Sequence, residues 1–156
     1  GAVVAFPLRP DLPARDDVDG LLARASPLSG AHVLIIAPTP LALFSLLEQG
    51  GVAQAIYLRH DDHSSAAGEA DVVLVPDCQE MEHVQEALVL ARRVLRAGGR
   101  VVLRDTRCGR SPAFARLLAQ HGFSAIRCRV FRFGIVITGD LPFFWQRTAG
   151  QNDLSP

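Results

Sequence analysis

Three groups of side chains in this sequence carry chemistry. Asp77-Cys78 follows the apolar run Asp71–Val75, and Glu82-His83 comes shortly after it. Asp77 offers a general base or a grip on a ligand amine. The competing reading makes Asp77 a capping carboxylate for the helix that follows, where a negative charge is favoured. Arg104, Asp105, Arg107 and Arg110 form the second group. Their guanidinium groups suit a phosphate or carboxylate ligand. The third is His60-Asp61-Asp62-His63, four metal-ligand types in a row. Four consecutive residues cannot converge on one ion, so no metal is expected and a solvated loop is the better reading. The three cysteines, Cys78, Cys108 and Cys128, are far apart and include no C-x-x-C pair. They point to a reduced compartment, with neither a disulfide framework nor a zinc site, and to small, partly buried side chains.

These groups need elements to position them. His32–Ala37, Ala55–Leu58, Asp71–Val75 and Arg100–Leu103 are short apolar runs, as expected of strands buried on both faces of a parallel sheet. Helices are expected between them. Asp16–Ala25 begins acidic and keeps Val18, Leu21, Leu22 and Ala25 on one face. Thr39-Pro40 starts a second helix with a hydroxyl cap and a proline, and Gly50-Gly51 ends it. Gln79–Ala97 has Met81, Val84, Leu88, Ala91 and Leu95 at helical spacing, then Arg92, Arg93 and Arg96, then a Gly98-Gly99 cap. Ser111-Pro112 caps a helix that reaches His121 and stops at Gly122. From Ser124 to Thr138 two strands follow each other, with a bend near Phe133-Gly134. Alternating strands and helices imply a doubly wound, mostly parallel α/β sheet with helices on both faces; the final pair implies a C-terminal antiparallel strand. The chain divides into an N-terminal arm and short helix (1–30), the α/β domain (31–140), and an aromatic then disordered tail (141–156).

Bulk properties agree with one domain. The 156 residues are 49% hydrophobic and 21% charged, the balance of a globular chain. Sixteen basic residues, all arginine, offset sixteen acidic ones. Zero net charge argues against nonspecific nucleic-acid or anionic-membrane binding. No run approaches the ~20 apolar residues of a membrane span. No basic start followed by a long apolar run marks a secretory signal. A cytoplasmic location is expected.

The element order, and above all Asp71–Leu103 (DVVLVPD, then EMEHVQEALVLARRVLRAGGRVVL), resembles the class I S-adenosylmethionine-dependent methyltransferases. The stretch is similar to that family's fourth strand, following helix and LxxGGxxxL entry to its fifth strand. Glu82-His83 sits where many small-molecule methyltransferases carry such a pair. The resemblance covers about residues 31–140, and it implies a methyltransferase-like fold.

Three departures touch the cofactor site that the resemblance implies. The family's loop after its first strand is glycine-rich, which lets the backbone approach the cofactor. Here Ala37–Ala42 reads APTPLA, with no glycine and two prolines that each remove an amide donor. At the end of the second strand the family places a carboxylate for the ribose hydroxyls. This chain has Arg59 there, which cannot accept those bonds, and Asp61 serves only if the strand ends two residues later. Between the second and fourth strands the family inserts a further helix and strand. Arg59–Ala70 is too short for both, so the fold is reduced by about one helix-strand unit.

Ligands of such sheets bind beyond the carboxyl ends of the parallel strands. Thr39, Arg59, Asp61, Asp77 and Cys78 are thus the candidates for cofactor contact, and Arg104, Asp105 and Arg107 for another ligand. The leading expectation is a methyltransferase-like domain that has lost methyl transfer, holds no cofactor, and acts in binding or assembly. The alternatives are an active S-adenosylmethionine-dependent enzyme on a small molecule near Asp77 and His83, and a binder of another anionic ligand. Arg127 and Arg129 share one face of a closing strand, with Ile126, Cys128 and Val130 opposite. They either keep an edge soluble or dock an acidic partner. Phe143, Phe144 and Trp145, with the closing strands, suggest a homodimer contact.

Overall fold

The computed structural model describes residues 20–25, 28–37, 53–58, 70–78, 80–107, 109–131 and 134–143. Six strands form one sheet: β1 (His32–Ile36), β2 (Gln54–Leu58), β3 (Ala70–Cys78), β4 (Leu95–Asp105), β5 (Ser124–Phe131) and β6 (Gly134–Asp140). Helix α1 (residues 20–25) precedes them; α2 (Met81–Val94) joins β3 to β4, and α3 (Ser111–Gln120) joins β4 to β5. The order across the sheet is β2-β1-β3-β4-β6-β5. The first four strands are parallel, and β6 runs antiparallel to both neighbours. The reversed strand is therefore not at the edge. It slots between β4 and β5, and β5 is the edge.

The continuous apolar runs have the physical reason expected of them. Alternate residues of each central strand feed two different cores. Leu34, Ile36, Val73, Val75, Val101 and Leu103 pack with Val84, Leu88 and Ala91 of α2 and Phe114 and Leu118 of α3. Val33, Ile35, Val72, Leu74, Val102 and Val136 pack with Leu21 and Ala25 of α1. Phe131 closes this second layer, so near α1 that a Cβ on Gly20 would lie 3.2 Å from its ring. Helices thus lie on both faces.

The structure corrects three local expectations. Helix α2 ends at Val94, not Ala97, and Gly98-Gly99 is not its cap. Leu95 turns extended, pairs with Ala70 and is 1% exposed, so a buried strand position outweighs helical spacing. The glycines form a bulge between the pairs Ala70–Leu95 and Val72–Arg100. Gly98 N–H donates to Leu141 O at 2.6 Å, and Leu141 N–H returns to Gly99 O at 2.8 Å. Asp77 does not cap α2: it lies inside β3, which continues to Cys78, and the cap position is Glu80. Ser111 likewise is the first residue of α3 and Arg110 its cap. The helix expected at Thr39–Gly50 and the loop expected at Arg59–Ala70 fall outside the described residues, apart from Ala70.

Candidate functional site: the carboxyl rim

The parallel strands β1, β3 and β4 end at a common rim. Cys78 pairs in register with Asp105, which brings Asp77, Cys78, Arg104 and Asp105 of the sequence expectation together with the start of α3. Asp105 has no solvent exposure. Its Oδ1 accepts the Arg107 N–H at 3.1 Å, and its Oδ2 accepts the N–H groups of Gly109 at 3.3 Å and Arg110 at 3.0 Å. Burial pushes this carboxyl up, but the three amides and the Arg110 guanidinium at 3.4 Å more than offset it and hold it below the usual carboxylate range. A short carboxylate accepting amides two to five positions on is a local turn device. It orders the turn into α3.

Arg110 ties this turn to the next strand. Its Nη2 donates to Cys78 O at 2.6 Å, and its guanidinium stacks 5.1 Å from the Phe114 ring centroid. The Cys78 side chain is 1% exposed and its thiol donates to Val75 O at 3.6 Å. Burial, above all, raises the thiol's pKa to about 12, which keeps it protonated and non-nucleophilic. Residue type alone offers Arg110 to an outside phosphate or carboxylate and does not reveal this inward role. The signal was Asp105 standing five residues before a cation at the start of a helix.

Asp77 and Arg104 are half-buried, and both interact with other groups of the chain. Arg107 is exposed. His83 lies on the first turn of α2, its Nε2 3.9 Å from Glu80 Oε1. Glu80, Glu82 and His83 bring ligand-type atoms within 4.8 Å of one another, with both glutamates exposed. Exposed groups of this kind repel or hydrate unless an ion holds them, so the cluster by itself assigns nothing. Thr39, Arg59, His60, Asp61 and Cys108 lie outside the described residues.

The fit of S-adenosylmethionine can be weighed on the described rim. Both oxygens of Asp105, the Arg110 guanidinium and the Cys78 thiol are turned onto the chain's own backbone. These side chains do not supply a set of outward acceptors for a nucleoside, and no chemical step is derived through the cofactor. The described structure also has a cavity of about 440 Å³ at the opposite, amino end of the strands, lined by Asp71, Arg96, Gly98 and Arg100 among others. Its charges are committed. Asp71 accepts the His32 N–H at 2.8 Å and pairs with Arg96 at 3.2 Å, while Arg100 pairs with Asp140 at 2.8 Å.

Comparison with solved structures agrees with the strand order. The chain is similar to human N-acetylserotonin methyltransferase in complex with S-adenosylmethionine, with a TM-score of 0.65 at 10% identity over 85% of this chain and 52% of that one. It is similar to the N-methyltransferase NodS from Bradyrhizobium japonicum, with a TM-score of 0.64 at 12% identity over 86% of this chain and 99% of that one. It also resembles an O-methyltransferase family protein from Burkholderia thailandensis, with a TM-score of 0.63 at 13% identity over 85% of this chain and 56% of that one. The chain spans about half the length of the first and third of these. No protein-family model matches the sequence, and no curated protein does. The fold is that of the class I S-adenosylmethionine-dependent methyltransferases.

Proposed function

We propose that this methyltransferase-fold domain has lost methyl transfer and serves as a binding or assembly module. The observation that carries the reading is the stretch after β1, Ala37–Ala42, which has no glycine and two prolines in the place where the fold brings its backbone to the cofactor. The inward commitment of Asp105, Arg110 and Cys78 supports it, because their polar atoms are bonded to the chain's own backbone. Assembly with a second copy through the aromatic residues 143–145, which leaves the edge of β5 to another partner, is one form the module takes in this reading. Phe143, 75% exposed, is the described part of that aromatic group.

Calorimetric titration of the purified protein with S-adenosylmethionine and S-adenosylhomocysteine tests the proposal. No saturable heat is expected up to millimolar ligand. A dissociation constant of about 1 μM, equivalent to about −8 kcal/mol, would overturn it. The competing reading, an active enzyme on a small molecule near Asp77 and His83, is favoured by the neighbours all being methyltransferases. That same titration decides between the two.

A further inference from the structure

Among the described residues, β5 lies at the sheet's edge and is paired on one side only, by β6. The other side presents backbone N–H and C=O groups that a further strand can pair with. Many edges are blunted by bulges. On β5 the irregularity is confined to the start, where Ala125 takes φ 53° and the register shifts between Ser124 and Arg127. From Arg127 to Phe131 the pairing with β6 is regular, and Arg127 through Val130 are exposed.

The edge carries a one-sided charge. Phe131 packs on the α1 side of the sheet, and the Arg129 guanidinium lies 5.3 Å from its ring centroid. Arg127 shares that face by the two-residue period of a strand. Arg24 of α1 completes the stripe. Its Nε is buried without a hydrogen-bond partner, and burial, then Arg129, Arg127 and Arg100, lower its pKa. Arg100 is neutralised by Asp140, whereas Arg127 and Arg129 make no ion pair with the described residues.

We propose that β5 receives an extended acidic segment of a partner protein as a seventh strand, with alternate carboxylates on Arg127 and Arg129. Main-chain bonds to Arg127–Phe131 hold the segment, and the paired charges set its register. A second copy of β5 fits poorly. Any two-fold antiparallel pairing centred between Arg127 and Arg129 places arginine opposite arginine, which is destabilising. Nucleic acid would meet the charge but not the row of edge amides and carbonyls. The proposal names a partner for the binding module yet stands whether or not the rim binds S-adenosylmethionine, so the failure of either leaves the other intact.

The test is fluorescence anisotropy with a labelled ten-residue peptide alternating glutamate with valine and threonine, titrated with the full chain at low salt. Three changes are each expected to weaken binding about tenfold or more: glutamine for glutamate in the peptide, N-methylation of alternate peptide amides on the edge-facing side, and the double substitution R127E/R129E. Equal binding of the glutamine or the N-methylated peptide would overturn the proposal. So would tighter binding of a single-stranded oligonucleotide than of the peptide. A mass by light scattering that halves when peptide is added would assign the edge to a second copy and overturn it as well.

Discussion

A carboxylate without solvent exposure persists only where its desolvation is offset, and at Asp105 three amides and one guanidinium do so. Asp105→Asn keeps the shape but removes the charge those donors face. The substitution is expected to destabilise the fold by about 2–3 kcal/mol, read from the urea midpoint. Because the folded carboxyl lies below its unfolded value, its contribution is present above about pH 4 and lost as pH falls through the folded value. The acid limb of the wild-type stability curve should therefore be steeper than that of Asp105→Asn. Cys78 makes the opposite case. Its buried thiol, raised to about 12, should escape iodoacetamide at pH 8 until the protein unfolds, while exposed Cys128 is alkylated; peptide mass spectrometry reads both.

At the scale of elements, the bulge between α2 and β4 decides where a helix stops. Periodicity through Leu95 and the glycine pair reads as a helix with a C-cap. Pairing of Leu95 with Ala70 and burial of its side chain instead draw Leu95, Arg96 and Ala97 out of the helix. Gly99 has little room: a Cβ there would lie 2.9 Å from Arg96 O and 3.0 Å from Asp71 O. Gly98 has φ +85°, and its Cβ would meet the Phe143 ring at 2.8 Å, a ring exposed enough to swing away. Gly98→Ala is thus expected to cost about 1–2 kcal/mol from backbone strain, and Gly99→Ala about 2–3 kcal/mol from backbone overlap, both by denaturant unfolding. Equal effects would mean that the Phe143 ring is held in place.

Across the whole molecule, β3 and β4 are the structural centre. Each is flanked by strands on both sides, and Val73, Leu74, Val101, Val102 and Leu103 are fully buried. Native-state hydrogen exchange should be slowest at Val72–Val75 and Val101–Leu103, and much faster at the outward amides of Arg127–Phe131. Addition of the acidic peptide should slow exchange on β5 alone. Among the described residues no helix is long and apolar enough to cross a membrane. Two strands, β4 and β6, separate β5 from β3, so a partner can engage β5 without disturbing β3.

Much of this architecture was legible in the sequence. Apolar runs of four to six residues between helical periods dictate a parallel sheet with helices on both faces, because such runs are stable only with both faces covered. The break between the closing strands was legible at Gly134 too: with φ +151°, a Cβ there would lie 2.9 Å from Asp105 O. What local pattern did not reveal was every feature set by contacts distant in sequence. Propensity knows nothing of Ala70 beside Leu95, so the end of α2 was misplaced. Residue type and position made Arg110 a cation for an outside phosphate or carboxylate, whereas the register of β3 against β4 sets it on Cys78 O and the buried Asp105. Side-chain type sets what a residue is able to bind; only the tertiary arrangement, which decides whether water or backbone surrounds it, sets what it does bind.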